Sequence, residues 1–479
     1  MAVLPLLSCE SLTIGYPQGF KSHVINWSIS DNQHWIISGP NGAGKTTLIK
    51  TILGNIRPLS GVIKRHLDNP YDQMKYVSFT DSSKLFHSVN NVHYYQQRFN
   101  SWDSDGHITV ENYLETGGFQ ANNADHLALL RDLQLDALLK KERIKLSSGQ
   151  TRKMLIAKAL VQKPKLLFLD NLYIGLDADS RDLINDMLDR IVKTRGMNLI
   201  ISGHFTSLPS CVNRQIHIDF DQSHTSKLSE QRKPEVHLNI TEQPCLTEIA
   251  RVWKTLSIAP AKKEIFEFRE VDISYGEQHI VNHINWKVLA GDKWNLKGNN
   301  GSGKSTLVSL IYGDNPQAYA KSVFVFGQRR GQGESIWDIK SKIGFTSPEL
   351  HAYFRHRLSS EEVVWSGLND RFEPMVSVPS ERIKMSDLFF EYFNLDSKKE
   401  KLFHTLSTGQ QRMVLFIRAL IKSPAVLLLD EPFQGFDPEN VIKAKTLLEH
   451  TLTENDTLLF ISHFTHEVPR SVDKVFVVG

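Results

Sequence analysis

Two copies of one glycine-rich loop restrict the fold that this sequence can adopt. Gly39 to Thr46 reads G-x-x-x-x-G-K-T and Gly298 to Ser305 reads G-x-x-x-x-G-K-S, an offset of 298 − 39 = 259 residues. The pentapeptides LSSGQ and LSTGQ begin at Leu146 and Leu406, an offset of 406 − 146 = 260. The chain is therefore predicted to contain a duplicated domain. Further landmarks keep this order and nearly this offset: Asp170 with Asp430, His204 with His463, and Tyr16 with Tyr275.

The length of the chain agrees with a duplication, because 479 residues exceed the usual size of one domain. We expect a first domain over residues 1–220, a connector over 221–262 and a second domain over 263–479. Inside the connector, apolar residues at i, i+3, i+4 and i+7 predict a short amphipathic helix. The favoured interpretation is that this helix packs on one of the domains, and the alternative is that it binds a partner. The residues are Ile249, Val252, Trp253 and Leu256.

Short apolar runs alternate with helical patterns in both copies, which predicts an α/β fold with a buried parallel sheet. Continuous apolar runs of this length are typical of strands that are covered on both faces. The predicted strands are Trp35 to Ser38, Leu166 to Leu169, Leu199 to Ile201, Val426 to Leu429 and Leu458 to Ile461.

The glycine loops have the strand, loop and helix context of a phosphate-binding loop. Their backbone N–H groups and the following helix N-terminus favour phosphate oxygens, so ATP is the predicted ligand. Lys45 and Lys304 would reach the β- and γ-phosphates, while Thr46 and Ser305 would bind Mg²⁺. The candidate ATP-binding residues are Gly39, Asn41, Gly42, Gly44, Lys45, Thr46 and Thr47 in the first loop and Gly298, Asn300, Gly301, Gly303, Lys304, Ser305 and Thr306 in the second.

One strand of each copy ends in an acidic residue, but the next residue differs between the copies. The second copy reads Leu-Leu-Leu-Asp430-Glu431, in which Asp430 would hold the Mg²⁺ shell and Glu431 would take a proton from the attacking water. The first copy reads Leu-Phe-Leu-Asp170-Asn171, so an amide replaces the general base. Since an amide cannot accept that proton, hydrolysis at the first copy should be slower by roughly 10² to 10⁴. The sequence predicts one competent and one degenerate site.

Charge, cysteines and hydropathy exclude several classes of protein. The formal net charge of +3 gives no electrostatic case for binding nucleic acid. Cys9, Cys211 and Cys245 are far apart and fit neither a metal site nor a disulfide framework, which indicates a reducing cytosol. No apolar stretch is long enough for a membrane helix. We expect a cytoplasmic protein that reaches the inner face of a membrane only through a partner.

Together, the loops, the LSSGQ and LSTGQ signatures and the Asp-Glu strand end resemble the ABC (ATP-binding cassette) ATPase superfamily over nearly the whole chain. The resemblance implies that each domain has a RecA-like parallel-sheet core, an antiparallel β subdomain and a helical subdomain. It also implies a head-to-tail pair formed within one chain, in which the signature of one copy covers ATP on the loop of the other. By that scheme Ser147, Ser148 and Gly149 cover ATP on Lys304, and Ser407, Thr408 and Gly409 cover ATP on Lys45.

Three further pairs of residues match positions of the family. Tyr16 and Tyr275 lie where members stack an aromatic ring on adenine, and the alternative is a core tyrosine at a strand end. His204 and His463 match the switch histidine that contacts the γ-phosphate, so His463 joins Glu431 and Lys304 as a candidate catalytic residue. Asp177 and Asp437 match the loop that couples the two sites.

The stretch where family members carry their glutamine loop departs from the family. Members carry a glutamine there that links Mg²⁺ sensing to the membrane domain, whereas Ile343 to Pro348 and Met74 to Phe79 lack it, with Glu349 and Thr80 as neighbouring substitutes. Residues 313–340 resemble soluble tandem cassettes of the molybdate-transport and photorepair type, and we expect them to form the antiparallel β subdomain.

Two functions are weighed first, and a third possibility is a signalling module in which closure on ATP, not turnover, matters, because the first copy lacks the general base. An ATPase that drives or regulates a membrane permease is the first, and the alternative is a soluble ABC ATPase that acts on the ribosome, nucleic acid or a protein partner. Translation-associated members carry a long charged linker, and the connector at 221–262 is short, so a ribosome or nucleic acid is not the expected partner.

Overall fold

Each copy of the repeat is built around its own parallel sheet. The computed structural model describes residues 5–16, 21–79, 108–143, 146–203, 205, 207–219, 223–227, 244–257, 263–275, 278–299, 301–354 and 357–478. The chain divides into two units, Met1–Glu235 and Val236–Gly479. The predicted α/β class, with an antiparallel sheet beside each parallel core, is confirmed.

In the first unit, the parallel sheet has the order β5-β6-β7-β3-β8-β9, and only β9 runs antiparallel to its neighbour. A smaller antiparallel sheet has the order β2-β1-β4. The strands are β1 (Leu7–Thr13), β2 (Ile25–Ile29), β3 (Trp35–Ser38), β4 (Ser60–Arg65), β5 (Met74–Ser78), β6 (Leu166–Asp170), β7 (Asn198–Ser202), β8 (Arg214–Ile218) and β9 (Ser223–Lys227). The helices are α1 (Lys45–Ile52), α2 (Pro70–Gln73), α3 (Val110–Glu115), α4 (Ala124–Asp132), α5 (Ser148–Leu160) and α6 (Ala178–Arg195), with a 3₁₀ turn at Asp136–Leu138.

In the second unit, the parallel sheet has the order β15-β16-β17-β12-β18, and an antiparallel sheet has the order β11-β10-β13-β14. The strands are β10 (Glu264–Tyr275), β11 (Gln278–Leu289), β12 (Lys293–Lys297), β13 (Val323–Val325), β14 (Gln328–Arg329), β15 (Ile343–Thr346), β16 (Val426–Asp430), β17 (Thr457–Ile461) and β18 (Lys474–Val477). The helices are α7 (Pro244–Leu256), α8 (Lys304–Tyr312), α9 (Ile336–Lys340), α10 (Pro348–Tyr353), α11 (Ser360–Trp365), α12 (Ser380–Tyr392), α13 (Thr408–Leu420) and α14 (Pro438–Thr451). Short 3₁₀ turns lie at Pro316–Ala320, Asp396–Lys398, Phe403–Thr405 and Thr465–Glu467.

The central strands explain why the sequence shows continuous apolar runs. Successive side chains of a strand point to opposite faces of the sheet. In β16, Val426 and Leu428 pack into one apolar cluster, whereas Leu427 and Leu429 pack into another on the opposite face. Strand β6 divides in the same way between two clusters of the first unit. Both faces are therefore buried, and the polar residue that ends each strand lies at the edge of a rigid core.

The stretch between the copies contributes to both units. Strand β9 pairs with β8 of the first unit, so the expected boundary at residue 220 falls before the last described strand of that unit. Helix α7 packs on α12 and α14 of the second unit. Its apolar face, which contains Leu246, Ile249, Val252 and Trp253, is buried in the core of that unit.

The stretch over residues 313–340 is only partly a β subdomain, which corrects the expectation for it. Strands β13 and β14 form a hairpin on the antiparallel sheet. The residues from Ile336 form α9 instead, because the Ser335 side chain caps that helix by accepting from the backbone N–H of Trp337.

Among the residues described, the structure contains no helix that has both the length and the apolar character needed to cross a bilayer.

Candidate functional site

The two glycine loops have the same backbone shape. Each follows a parallel strand, β3 in the first unit and β12 in the second, and enters a helix at the lysine, α1 at Lys45 and α8 at Lys304. The first glycine is required by close packing, since a Cβ atom would lie 1.9 Å from the Ile218 carbonyl oxygen at Gly39 and 2.4 Å from the Val478 carbonyl oxygen at Gly298. The φ angles match in order, with 140°, 88° and 93° at Gly39, Gly42 and Gly44 and 155°, 85° and 96° at Gly298, Gly301 and Gly303.

The lysine and hydroxyl side chains make matching contacts in both loops. Lys45 Nζ donates to the carbonyl oxygens of Gly39 at 2.6 Å and Pro40 at 2.8 Å. Lys304 Nζ donates to those of Gly298 at 2.7 Å and Asn299 at 2.8 Å. Both ammonium groups therefore lie within the curve of their own loop, where a phosphate would bind.

In each unit the hydroxyl after the lysine contacts the aspartate that ends the strand two places along the sheet, β6 in the first unit and β16 in the second. Thr46 Oγ1 donates to Asp170 Oδ2 at 2.8 Å, and Ser305 Oγ donates to Asp430 Oδ2 at 2.9 Å. Hydroxyl and carboxylate oxygens are hard ligands of the kind that Mg²⁺ prefers. The residues present thus fit the Mg²⁺ ion that the sequence predicts.

Asp170 of the first unit is surrounded by hydrogen-bond donors. Besides Thr46, Tyr76 donates its hydroxyl to Asp170 Oδ2 at 3.0 Å, and Asn171 donates its Nδ2–H to Oδ1 at 3.3 Å. The Ser202 hydroxyl also donates to Oδ1. This buried carboxylate is therefore stabilised by neutral donors on strands β5 and β7.

Asp430 of the second unit has a different environment. Within the described residues it accepts a side-chain hydrogen bond from Ser305 alone. The strand registers place Phe345 and Ile461 where the first unit has Tyr76 and Ser202, and neither can donate. Burial raises the pKa of Asp430 well above its usual range, and the nearby charges of Glu349 and Glu431 raise it further. A bound cation would relieve this concentration of negative charge.

The residue after each aspartate has a left-handed backbone conformation, with φ of 59° at Asn171 and 44° at Glu431. Asparagine adopts this conformation more readily than glutamate. The Glu431 carboxylate has a neighbour at each oxygen. Gln434 Nε2 donates a hydrogen bond to Oε2 at 2.6 Å, and His463 Nε2 lies 3.0 Å from Oε1. The His463 contact is an ion-pair distance without the alignment of a hydrogen bond. The second unit thus presents a fixed carboxylate where the first has an amide.

The signature residues begin helices α5 and α13 in the same manner. The Ser147 and Ser407 side chains accept from the N–H groups of Gln150 and Gln410, whose side chains accept in return from the serine N–H. These capping boxes fix the helix N-termini, which are favourable ends for binding anions. Gly149 and Gly409 lie in the first turns, Thr408 begins α13, and the side chain of Ser148 is outside the described residues.

The remaining predicted residues have varied positions. Tyr16 is half exposed, which excludes a core role for its ring. The side chains of Asp177 and Asp437 cap helices α6 and α14, so each has a structural role at a helix N-terminus. Asn41, Thr47 and Thr306 lie in or directly after the loops. His204, Asn300 and Thr80, and the side chain of Tyr275, lie outside the described residues.

Three residues of the site escaped the sequence reasoning: Tyr76, Ser202 and Gln434. Tyr76 lies within Met74 to Phe79, Ser202 precedes His204 by two residues and Gln434 follows Glu431 by three, but no motif assigns a role to any of them. Comparison of the two copies position by position would have exposed them, because Phe345, Ile461 and Ile174 stand at the matching positions.

The family model described as ABC transporter matches residues 22–173 and again 281–434. An uncharacterized ABC transporter ATP-binding protein of Schizosaccharomyces pombe is 28% identical over 94% of this chain and 93% of its own length. The ABC transporter ATP-binding protein ModF of Escherichia coli is 29% identical over 93% of this chain and 91% of its own length.

A solved structure supports the fold at the level of both copies. The archaeal ribosome recycling factor aABCE1, solved in complex with the ribosomal stalk protein aP1, matches with a TM-score of 0.56 at 15% identity, over 98% of this chain and 87% of its own. At that identity the likeness concerns the fold alone.

Proposed function

The chain belongs to the ABC transporter family of ATP-binding proteins and carries its ATP-binding domain twice, and on that premise we propose that it is an ATPase with unequal sites. Both phosphate loops bind ATP with Mg²⁺, and hydrolysis takes place at the loop that contains Lys304. The observation that carries the proposal is the pair Glu431 and Asn171, which occupy matching left-handed positions after matching aspartates. Glu431 can accept a proton from water, whereas Asn171 can only orient one.

The side chains of the second unit divide the chemistry among them. Lys304 provides positive charge beside the phosphates, and Glu431 receives the proton of the attacking water. Ser305 and Asp430 would hold Mg²⁺. When bound, this ion would supply the additional positive charge that phosphoryl transfer requires. His463 Nε2 lies 3.0 Å from Glu431 Oε1, and from there it would contact the γ-phosphate.

We further propose that the two copies pair head to tail within one chain, as the family relationship implies. In that arrangement, ATP on the loop of one copy is covered by the signature of the other. ATP on Lys304 would be covered by Ser147, Ser148 and Gly149, and ATP on Lys45 by Ser407, Thr408 and Gly409. His204 and the rings of Tyr16 and Tyr275 would complete the two nucleotide sites.

The asymmetry is tested by two substitutions in the full chain. Glu431→Gln keeps the size of the side chain and its amide can still accept from Gln434, so we expect kcat to fall by roughly 10² to 10⁴. Asn171→Ala should change the steady-state rate little. Because alanine is strained at φ 59° by about 1 kcal/mol, Asn171→Gly serves as the control that keeps the backbone relaxed. Equal losses of kcat from Glu431→Gln and Asn171→Gly would refute the assignment.

For the biological role we propose an ATPase component of an ABC transporter, or an accessory to one. The support is the relationship to ModF over nearly the whole of both chains, together with a net charge too small to favour nucleic acid. The test is affinity capture of the chain from detergent-solubilised membranes, in the presence of an ATP analogue that is not hydrolysed. Recovery of a polytopic permease supports this role, and recovery of ribosomes without a permease would overturn it.

A further inference from the structure

Gln434 connects a partly buried arginine to the carboxylate of Glu431. Its Nε2 donates to Glu431 Oε2 at 2.6 Å. Arg412 Nη1 donates to the backbone oxygen of Gln434 at 3.0 Å and also to its side-chain Oε1. One amide is therefore held at both ends, by a guanidinium on one side and by a carboxylate on the other.

These contacts allow only one orientation of the Gln434 amide. A guanidinium can only donate hydrogen bonds, and an ionised carboxylate can only accept them. A flipped amide would place its NH₂ group against Arg412 and its oxygen against Glu431, so both contacts would become repulsive. The donor is thus directed at Glu431 by Arg412.

Arg412 is a rigid support for this arrangement. Burial lowers the pKa of its guanidinium to about 10, while the charges of Glu431 and Glu349 favour its charged form. It projects from the first turns of α13, the helix that begins directly after Ser407 of the signature. A partly buried cation beside two carboxylates is costly to move, since its hydrogen bonds to Gln434 and its charge partners would be lost together.

The first unit offers a comparison within the same chain. Arg152, at the position that matches Arg412, donates to the backbone oxygens of Leu172 at 2.8 Å and of Ile174. Ile174 stands where the second unit has Gln434, and Asn171 stands where it has Glu431. The arginine-to-backbone contact is kept in both units, but the amide link is present only beside the carboxylate.

We propose that Gln434 is a positioning residue for Glu431, and that Arg412 fixes Gln434 in the orientation this requires. The inference rests on the proposed function, because it concerns the carboxylate that accepts the proton of water. Orientation matters there, since misplacing a reacting group by about 1 Å can cost about 100-fold in rate.

The test is Gln434→Ile, which installs the residue of the first unit. Steady-state ATPase activity should show kcat reduced about 10- to 100-fold with KM for ATP unchanged. Gln434→Met, which keeps the length without a β-branch, should show the same loss and serves if the isoleucine variant fails to fold. Ile174→Gln is the matched control in the first unit and should leave kcat unchanged.

A second measurement separates positioning from a structural role. In a Glu431→Gln background, Gln434→Ile should cause no further loss of the residual rate, because the two residues act as one unit. A Gln434 variant that lowers the melting temperature or raises KM while kcat is retained would overturn the inference. An inactive wild type, or a Glu431→Gln variant with full activity, would instead contradict the proposed function itself.

Discussion

The hydrogen bond from Tyr76 to Asp170 offers a sharp test of the contrast between the two aspartates. Tyr76→Phe removes only the hydroxyl that donates to Asp170 Oδ2 at 3.0 Å, and phenylalanine already stands at the matching position 345. A hydrogen bond to a charged group contributes about 1.5–3 kcal/mol, and Asp170 is buried, so the free energy of unfolding of the first unit should fall by about that amount. For a unit of this size the melting temperature should drop by about 3–12 °C.

The assay is differential scanning calorimetry of the full chain, with the first-unit transition assigned by hydrogen exchange of peptides that span β6 and β7. Two units need not unfold together, so each transition is followed separately. The loss caused by Tyr76→Phe should shrink in excess Mg²⁺, because a cation can replace the missing donor beside the carboxylate. Phe345→Tyr is the reciprocal control: it adds a hydroxyl near Asp430 and should stabilise the second unit most when Mg²⁺ is withheld.

An unchanged first-unit transition in Tyr76→Phe, with no dependence on Mg²⁺, would refute this reasoning. It would mean that the Tyr76 hydroxyl contributes nothing to the free energy of unfolding of the first unit. The two aspartates would then differ at this position in geometry and not in energy. If stability is lost but Mg²⁺ does not reduce the loss, the hydrogen bond does stabilise the first unit, and the idea that a cation can replace it is wrong.

Three further predictions concern the second unit. Asp370→Asn should lower the free energy of unfolding by about 3–5 kcal/mol in chemical denaturation, because Asp370 is buried against Arg418 at 3.3 Å and against Lys422. A loss below about 1 kcal/mol would mean that these charges do not stabilise one another. Trp253→Ala should cost about 3–5 kcal/mol, since its ring is fully buried with α12 and α14, and the same substitution would be nearly silent if α7 were free of the second unit. Burial lowers the pKa of His351 to about 4, so the unfolded chain binds more protons between that pH and about 6.5, and stability should fall as the pH drops through this range. His351→Gln should remove this acid sensitivity, and an unaltered pH profile would contradict it.

Much of the architecture could be predicted because the repeat fixes the order of elements and the central strands are apolar on both faces. The aspartates at the ends of β6 and β16 follow from the same logic, since a polar residue that ends a buried strand lies at the sheet edge. The same logic places Ser202 at the end of β7, but it does not reach Tyr76 inside β5. Neither contact with Asp170 could be predicted, because both cross strand registers that one sequence does not reveal. The role of Gln434 depends on an arginine 22 residues earlier, which a motif search does not connect to it.

Local capping also decided features that periodicity missed. Residues 336–340 are short and mixed in polarity, and only the Ser335 cap directs them into a helix. Strand β9 carries no apolar residue, so its pattern does not indicate a strand, and only its pairing with β8 reveals one.

The position of α7 has a consequence for the order in which the chain is made. The last described strand of the first unit ends at Lys227, and α7 is the next element to leave the ribosome. The helices on which α7 packs begin only at Ser380. After Leu256, another 380 − 256 = 124 residues must be synthesised, which takes about 6–25 s at about 5–20 residues per second. During that interval the apolar face around Trp253 has no packing partner, because α12 and α14 have not been synthesised. We therefore expect the nascent chain to need protection from aggregation at α7 while the first unit can already fold.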